Sequence, residues 1–205
     1  MADMILPLSG GSDSFYEETL KQCMDKRIII LNQEIDDAVV EDVVMHIILW
    51  NIQDCDLPKN KRKPITIILN SVGGDVFSGM NVVDAIQQSV TPIKCIAMGL
   101  VASAAYYIYI TAHKRYAFEN SVFLQHDGSL SVTNSNSKAK QTMAFFDEME
   151  KRIKQHVLSH STMDEAFYDS KYEQEFYFYS DTAKELGVVD EIIGDTIDFT
   201  KVLCE

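Results

Sequence analysis

A serine, a histidine and a pair of glycines occur in this chain in an order and in settings that suit acyl transfer. Ser103 lies in a tract of small residues, 98–106, where its hydroxyl would be accessible at the start of a helix. His126 ends the largely apolar run 121–126, and Gly73-Gly74 follow a β-branched run. Acyl transfer needs a nucleophile, a base that takes its proton, and backbone N–H groups that stabilise the oxyanion. Because glycines lack a Cβ, their backbone can approach a substrate closely. The sequence therefore predicts hydrolysis of acyl bonds, and of peptide bonds in particular.

The elements that would position these residues alternate between strand and helix along the chain. The strand patterns are short and β-branched, and the helix patterns repeat apolar residues at helical spacing. Strands are predicted at 27–31, 65–69, 93–97, 116–118 and 122–124, and helices at 38–50, 76–88, 102–112 and 138–160. This alternation predicts an α/β fold with a mostly parallel sheet.

Composition favours one globular domain and disfavours several classes of protein. The chain has 205 residues, of which 46% are hydrophobic and 24% are charged, which are ordinary values for a globular protein. Its net charge of −13 disfavours nucleic acid binding, which needs a basic face. The four cysteines lie far apart, without the spacing of a metal site or a disulfide framework. That pattern is typical of free thiols in a reducing compartment.

Two segments raise the question of membranes and targeting. Residues 95–112 carry no charge and approach the length of a membrane span. Three tyrosines, Gly99 and Ser103 make this segment less apolar than a span, so we favour a buried strand that runs into a buried helix. Residues 1–14 lack a basic region and an apolar core, so they do not form a secretory signal. We interpret residues 1–18 as a flexible N-terminal segment and residues 19–205 as one domain.

Four motifs in register give the chain a resemblance to a known family. They are the turn Asn70-Ser71-Val72-Gly73-Gly74, the segment from Gly99 to Ser103, the segment from Asn120 to His126, and the segment 183–192. Their order and spacing resemble the proteolytic subunit of the Clp protease, ClpP, over residues 20–193. The chain looks like a divergent or phage-associated member of that family.

The resemblance implies roles for individual residues. Ser103 matches the family's nucleophile and His126 its general base, while the backbone N–H groups of Gly74 and Ala104 match its oxyanion donors. Counted back from Gly187, the position of the family's third residue, an aspartate, holds Glu175. A glutamate carboxylate can orient a catalytic histidine on other hydrolase folds. Asp169 is the alternative if the stretch 172–179 contains an insertion.

The resemblance also implies a fold and an assembly. It predicts a ClpP/crotonase-like fold of repeated ββα units with a protruding handle helix. Residues 129–137, rich in Ser, Thr and Asn, read in isolation as a surface loop, and by resemblance as the handle region. The stripe on helix 138–160, formed by Met143, Phe146, Met149, Ile153 and Val157, fits either the core or a contact between rings. The expected protein is a cytoplasmic homo-oligomer of stacked heptameric rings. It would work without a cofactor or metal, be fed by an AAA+ unfoldase ATPase, and cleave unfolded polypeptides away from nucleic acid and membranes.

Two other functions remain open at this point. The unusual third position suggests a catalytically weak ClpP-like subunit with a role in assembly. Crotonase-type enzymes share the fold family and hold the enolate of an acyl-CoA thioester with paired N–H groups. They need carboxylates near the oxyanion site and no Ser/His pair, which is the opposite of the pattern here.

Overall fold

A seven-stranded sheet forms the centre of the protein in the computed structural model, which describes residues 14–128, 133 and 135–204. Five strands lie side by side in the order β1-β2-β3-β4-β7, all parallel. The strands are β1 (Ile28–Leu31), β2 (Ile65–Ser71), β3 (Ile93–Ala102), β4 (Lys114–Phe118), β5 (Val122–Gln125), β6 (Phe176–Tyr179) and β7 (Glu191–Ile193). A parallel sheet needs crossover connections, and the helices between these strands supply most of them.

The long strand β3 changes partner along its length. Residues 94–97 pair with β4, whereas residues 100–102 pair with β5. Asn70 supports the change, because its Oδ1 accepts a hydrogen bond from the N–H of Leu100 at 2.9 Å. β5 in turn pairs antiparallel with β6. The end of β3 therefore lies beside β5, and β6 continues the same part of the sheet.

Helices cover both faces of the sheet. The helices are α1 (Phe15–Asp25), α2 (Met45–Asp54), α3 (Val76–Gln88), α4 (Ala104–Thr111), α5 (Asn136–Ser159), α6 (Glu165–Tyr172), α7 (Ser180–Glu185) and α8 (Phe199–Cys204), with a π-helical turn (Val40–Val44) before α2 and a short 3-10 turn (Lys59–Lys61) after it. All eight residues of α4 are buried, as its apolar composition on every side requires. α8 covers a smaller apolar cluster that includes Ile96, Tyr116 and Val202.

The predicted α/β class and the mostly parallel sheet are confirmed. α3 has the predicted bounds, and the uncharged stretch forms the end of β3 and α4, as the strand–helix interpretation expects. None of the helices in the described part of the chain combines the length and apolar character that a membrane span requires.

Several features differ from the sequence predictions. β3 extends five residues beyond its predicted end at residue 97, and α1, α6, α7, α8, β6 and β7 lie where no element is predicted. α1 begins at Phe15, with Ser14 as its N-cap, so the last residues of the segment interpreted as flexible, 1–18, are helical. Residues 1–13 lie outside the described residues, as do 129–132 and 134 of the proposed handle. The division into 1–18 and 19–205 stays a prediction.

Candidate active site

Ser103 occupies a strained turn between β3 and α4. Its φ is 53° and its ψ is −124°, a conformation that costs a residue with a side chain on the order of 1–3 kcal/mol. The N–H of Ser103 donates to the carbonyl of Leu124 on β5 at 3.1 Å, and α4 buries the residues that follow. A sharp turn from a strand into a helix exposes the hydroxyl of a serine at the end of a sheet, as in the nucleophile turn of α/β-hydrolases.

The glycine pair lies against this turn. A Cβ on Gly73 (φ +90°) would lie 2.7 Å from the Cβ of Ser103, and a Cβ on Gly74 (φ +149°) would lie 2.2 Å from the carbonyl oxygen of Ile35. The N–H of Ile35 donates to the carbonyl of Gly73, and the N–H of Asp75 donates to the carbonyl of Ile35. Neither of these hydrogen bonds uses the N–H of Gly74. The N–H of Ala104 is the first of α4, and the first N–H groups of a helix have no intrahelical acceptor. Both groups border the cavity that Ser103 lines.

His126 and Glu175 come together because of the register of β5 and β6. The last pair of this antiparallel ladder joins Gln125 to Phe176, so the next residues along each strand, 126 and 175, face each other. Nδ1 of His126 lies 2.9 Å from Oε1 of Glu175. The side chain of His126 is 23% exposed and that of Glu175 is 60% exposed. This contact leaves Nε2 as the ring nitrogen that can exchange a proton with another group.

The alternative carboxylate, that of Asp169, and the carboxylate of Asp127 beside the histidine have different surroundings. Asp169 lies on α6, where its carboxylate is 2.7 Å from the ammonium of Lys154. Asp127 directly follows the histidine and is exposed, and its N–H donates to the carbonyl of Tyr172. The structure brings Glu175, rather than Asp169, to the imidazole.

One cavity of about 490 Å³ is lined by the proposed nucleophile, the proposed base and both proposed oxyanion donors. These residues are Ser103, His126, Gly74 and Ala104. Five further residues come from α5 and α6, helices that the residue pattern around Ser103 and His126 does not connect to the site, and Tyr107 comes from α4; the five are Phe146, Met149, Glu150, Ile153 and Tyr172. Three of them, Phe146, Met149 and Ile153, belong to the predicted apolar stripe on α5. The stripe is the feature of the sequence from which this side of the cavity could have been found. The stripe therefore contributes to the cavity as well as to the core, in which Ile153 and Val157 are buried.

The arrangement is suited to nucleophilic chemistry at a carbonyl. It combines a hydroxyl on a strained turn, an imidazole oriented by a carboxylate, and two N–H groups beside the hydroxyl in one cavity.

A family comparison identifies the kind of protein in which this arrangement occurs. Residues 11–196 match the Clp protease family. The chain belongs to that family.

Curated relatives of the Clp protease family match most of the chain at low identity. The ATP-dependent Clp protease proteolytic subunit 2 of Thermobifida fusca is 25% identical over 187 residues, which cover 90% of this chain and 89% of the relative. Proteolytic subunit 3 of Streptomyces avermitilis is 29% identical over 192 residues, which cover 91% of this chain and 82% of that protein.

A solved structure shows the same fold. A mutant of ClpP1 from Listeria monocytogenes superposes with a TM-score of 0.74 at 24% identity, and the match covers 87% of this chain and 97% of that one. The fold is thus the ClpP/crotonase-like fold expected from the sequence.

Proposed function

We propose that this Clp protease family member is a serine endopeptidase that cleaves unfolded polypeptides. The observation that carries the proposal is the contact between His126 and Glu175 next to a cavity that His126 shares with Ser103 and the N–H groups of Gly74 and Ala104. A crotonase-type enzyme has no use for such a pair, and a subunit that only assembles has no need of an oriented imidazole.

The proposed reaction proceeds in two halves. The hydroxyl of Ser103 attacks the carbonyl carbon of a peptide bond while Nε2 of His126 takes its proton. The N–H groups of Gly74 and Ala104 stabilise the negative oxygen, and removal of one such donor typically costs ~3 kcal/mol in the barrier. The protonated imidazole, stabilised by Glu175, then gives its proton to the leaving amine. Water, activated by the same nitrogen, hydrolyses the acyl-enzyme and restores Ser103.

We propose further that the protein works as a homo-oligomer, with stacked heptameric rings as in the family it resembles. An exposed apolar face on α2 supports association. Met45, Ile48, Leu49 and Ile52 recur at helical spacing and are 48–64% exposed, and contiguous apolar patches of this kind mark interaction sites. The ring number rests on the family resemblance.

An AAA+ unfoldase on a separate chain is the proposed partner. The curated relatives are named proteolytic subunits of an ATP-dependent protease and are matched over most of their length, which supports an ATPase outside the proteolytic chain. The separated cysteines, Cys23, Cys55, Cys95 and Cys204, are all free, in keeping with the proposed cytoplasmic location.

The proposed function is tested by two measurements on one sample. Particle mass is measured by light scattering, and hydrolysis of short fluorogenic peptides is assayed in the same fractions. We expect activity to migrate with a ring-sized particle. Ring-sized particles without hydrolysis would favour the assembly subunit, and full activity in a monomer fraction would contradict the proposed oligomer.

A further inference from the structure

The cavity beside Ser103 has an unbalanced charge. Among the described residues that line it, Glu34, Asp75 and Glu150 carry carboxylates, and none is a lysine or an arginine. The carboxylate of Asp75 is engaged as the cap of α3, where it accepts a hydrogen bond from the N–H of Ser78 at 2.7 Å. A cleft lined by charges of one sign concentrates the electrostatic field and attracts ligands of the opposite sign.

Glu150 belongs to an aromatic part of this lining. It lies on α5 with an exposed side chain close enough to the hydroxyl of Tyr172 for a hydrogen bond, and Tyr107 lines the cavity with both. Burial, and then the negative charges of Glu150 and Asp127, raise the pKa of Tyr172 to about 12. Burial is also the main cause of a raised pKa at Tyr107, with smaller contributions from Tyr172 and the same two carboxylates. Both tyrosines therefore stay neutral at physiological pH.

Walls of this composition match one class of side chain. Lysine and arginine carry a charged group at the end of an apolar stem. In this cavity the stem would pack against Phe146, Met149 and Ile153, while the cation would lie near the carboxylate of Glu150 and the two tyrosines. In a peptide, the side chain nearest the attacked carbonyl belongs to the residue that supplies that carbonyl.

We propose that Glu150 is a specificity-determining residue that favours cleavage after lysine or arginine. This inference rests on the proposed peptidase function and adds the substrate class to it. Glu34 adds to the negative potential near Gly74, because the Cγ of Glu34 lies 2.9 Å from the position that a Cβ on Gly74 would take. The selective contact is assigned to Glu150.

The test uses two fluorogenic peptides of identical composition. One has lysine directly before the fluorophore and norleucine two residues earlier, and the other exchanges these positions. Both peptides have the same net charge, so a general attraction to the acidic protein affects them equally. Hydrolysis of both is measured for the full-length protein, for Glu150→Gln, for Glu34→Gln, and for Glu148→Gln. Glu148 lies on the same helix, pairs with Arg152 and is not among the residues that line the cavity.

We expect the wild type to prefer lysine before the fluorophore. The kcat/KM ratio of the two peptides should fall about fivefold in Glu150→Gln, the upper range for a partly exposed ion pair, and stay unchanged in Glu148→Gln. A wild-type preference for norleucine, an equal ratio in wild type and Glu150→Gln, or a ratio lost only in Glu34→Gln would overturn the assignment.

Binding separates this inference from the proposed function. The affinities of the two peptides for Ser103→Ala and for Ser103→Ala/Glu150→Gln are compared by fluorescence anisotropy. If Ser103→Ala binds the first peptide preferentially in a way that depends on Glu150, and the wild type hydrolyses neither peptide, the inference would be supported and the peptidase contradicted. Hydrolysis of both peptides without any dependence on Glu150 would contradict the inference alone.

Discussion

The proposed active site has two sides that the fold holds in different ways. The serine side consists of Ser103, the glycine pair packed against it, and the fully buried helix α4. The histidine side consists of His126 and Glu175 at the ends of β5 and β6, joined by one hydrogen bond to a carboxylate that is 60% exposed. Because core packing fixes the serine side, a change there that adds atoms or moves the backbone affects both folding and chemistry. Because an exposed contact fixes the histidine side, changes there should affect chemistry alone.

Ser103→Ala gives the largest expected loss. Removal of the nucleophile should lower peptide hydrolysis by about 10⁴-fold or more, measured as kcat with a fluorogenic peptide. Particle mass and the midpoint of thermal unfolding should stay at their wild-type values, since alanine removes only the hydroxyl. Hydrolysis close to the wild-type rate by the purified variant would remove Ser103 from the mechanism.

Glu175→Gln tests the histidine side. Without the carboxylate, the imidazole adopts the wrong tautomer and its protonated form is less stable, so kcat should fall by about 10³-fold. The free energy of unfolding should change by less than about 1 kcal/mol, because the pair is exposed. Both quantities are measured on the same preparation.

Asp169→Asn is the matched control for Glu175→Gln. Asp169 pairs with Lys154 rather than with His126, so kcat should stay within about twofold of wild type, as for a surface change. If Asp169→Asn abolished hydrolysis and Glu175→Gln did not, the two carboxylates would have to exchange roles. If neither mattered, His126 would act without a carboxylate, or the assembly-subunit function would gain support.

Gly74→Ala should damage activity and stability together, as expected for the serine side. The new Cβ would approach the carbonyl oxygen of Ile35 to 2.2 Å, which displaces the N–H proposed to bind the oxyanion. We expect kcat to fall at least about 100-fold and urea denaturation to show a loss of about 1–3 kcal/mol.

Gly194→Ala separates strain from displacement in that experiment. Gly194 also has a positive φ, of 95°, but a Cβ there would contact nothing within 4 Å. This variant should lose stability without losing kcat. An equal loss of kcat in both glycine variants would mean that Gly74 acts through stability alone.

Acid should weaken the serine side through His156. Its Nε2 lies 2.9 Å from the hydroxyl of Thr111, the last residue of α4. Burial, and then the charge of His160, lowers the pKa of His156 to about 4 from the usual 6.5. Between these two values the unfolded chain binds a proton that the folded chain does not, so the stability that neutral His156 contributes is complete above pH 6.5 and decreases as the pH falls towards 4.

The measurement compares wild type with His156→Gln by urea denaturation at pH 7 and pH 4.5. The decrease in unfolding free energy should be smaller in the variant by about 2 kcal/mol, after allowance for the partial exposure of the ring. His46→Gln, on α2, is the control, and its free energy of unfolding should decrease as much as that of wild type. Equal decreases in wild type and His156→Gln would exclude His156 as the acid-sensitive group.

The sequence predicts the elements with strong local patterns. α3 has its predicted bounds because its apolar spacing, its Asp75 cap and the preceding glycines agree. The extension of β3 past residue 97 could not be predicted, because Met98 and Gly99 are exposed and the strand continues through pairing with β5 and with Ser71 of β2. β6 lacks alternation, since its four residues are all aromatic, and only the pairing with β5 defines it.

The same limit applies to the candidate site. Ser103, His126 and the glycine pair stand out by residue type and spacing, and Glu175 by its distance from Gly187. Tyr107, Glu150 and Tyr172 carry no such signal, because they reach the cavity through the packing of α4, α5 and α6. Contacts between distant segments depend on the whole fold, whereas a turn or a helix depends on neighbours in the chain.

The most direct test of the central claim, that Ser103 is a nucleophile activated by His126, is covalent labelling. The protein is treated with a serine-reactive fluorophosphonate, and the modified peptide is identified by mass spectrometry in wild type, His126→Ala and Ser103→Ala. We predict stoichiometric modification of Ser103 in wild type, at least about 100-fold slower labelling without the imidazole, and none in Ser103→Ala. Absence of modification at Ser103 in the wild type, or labelling at the same rate in His126→Ala, would contradict the account.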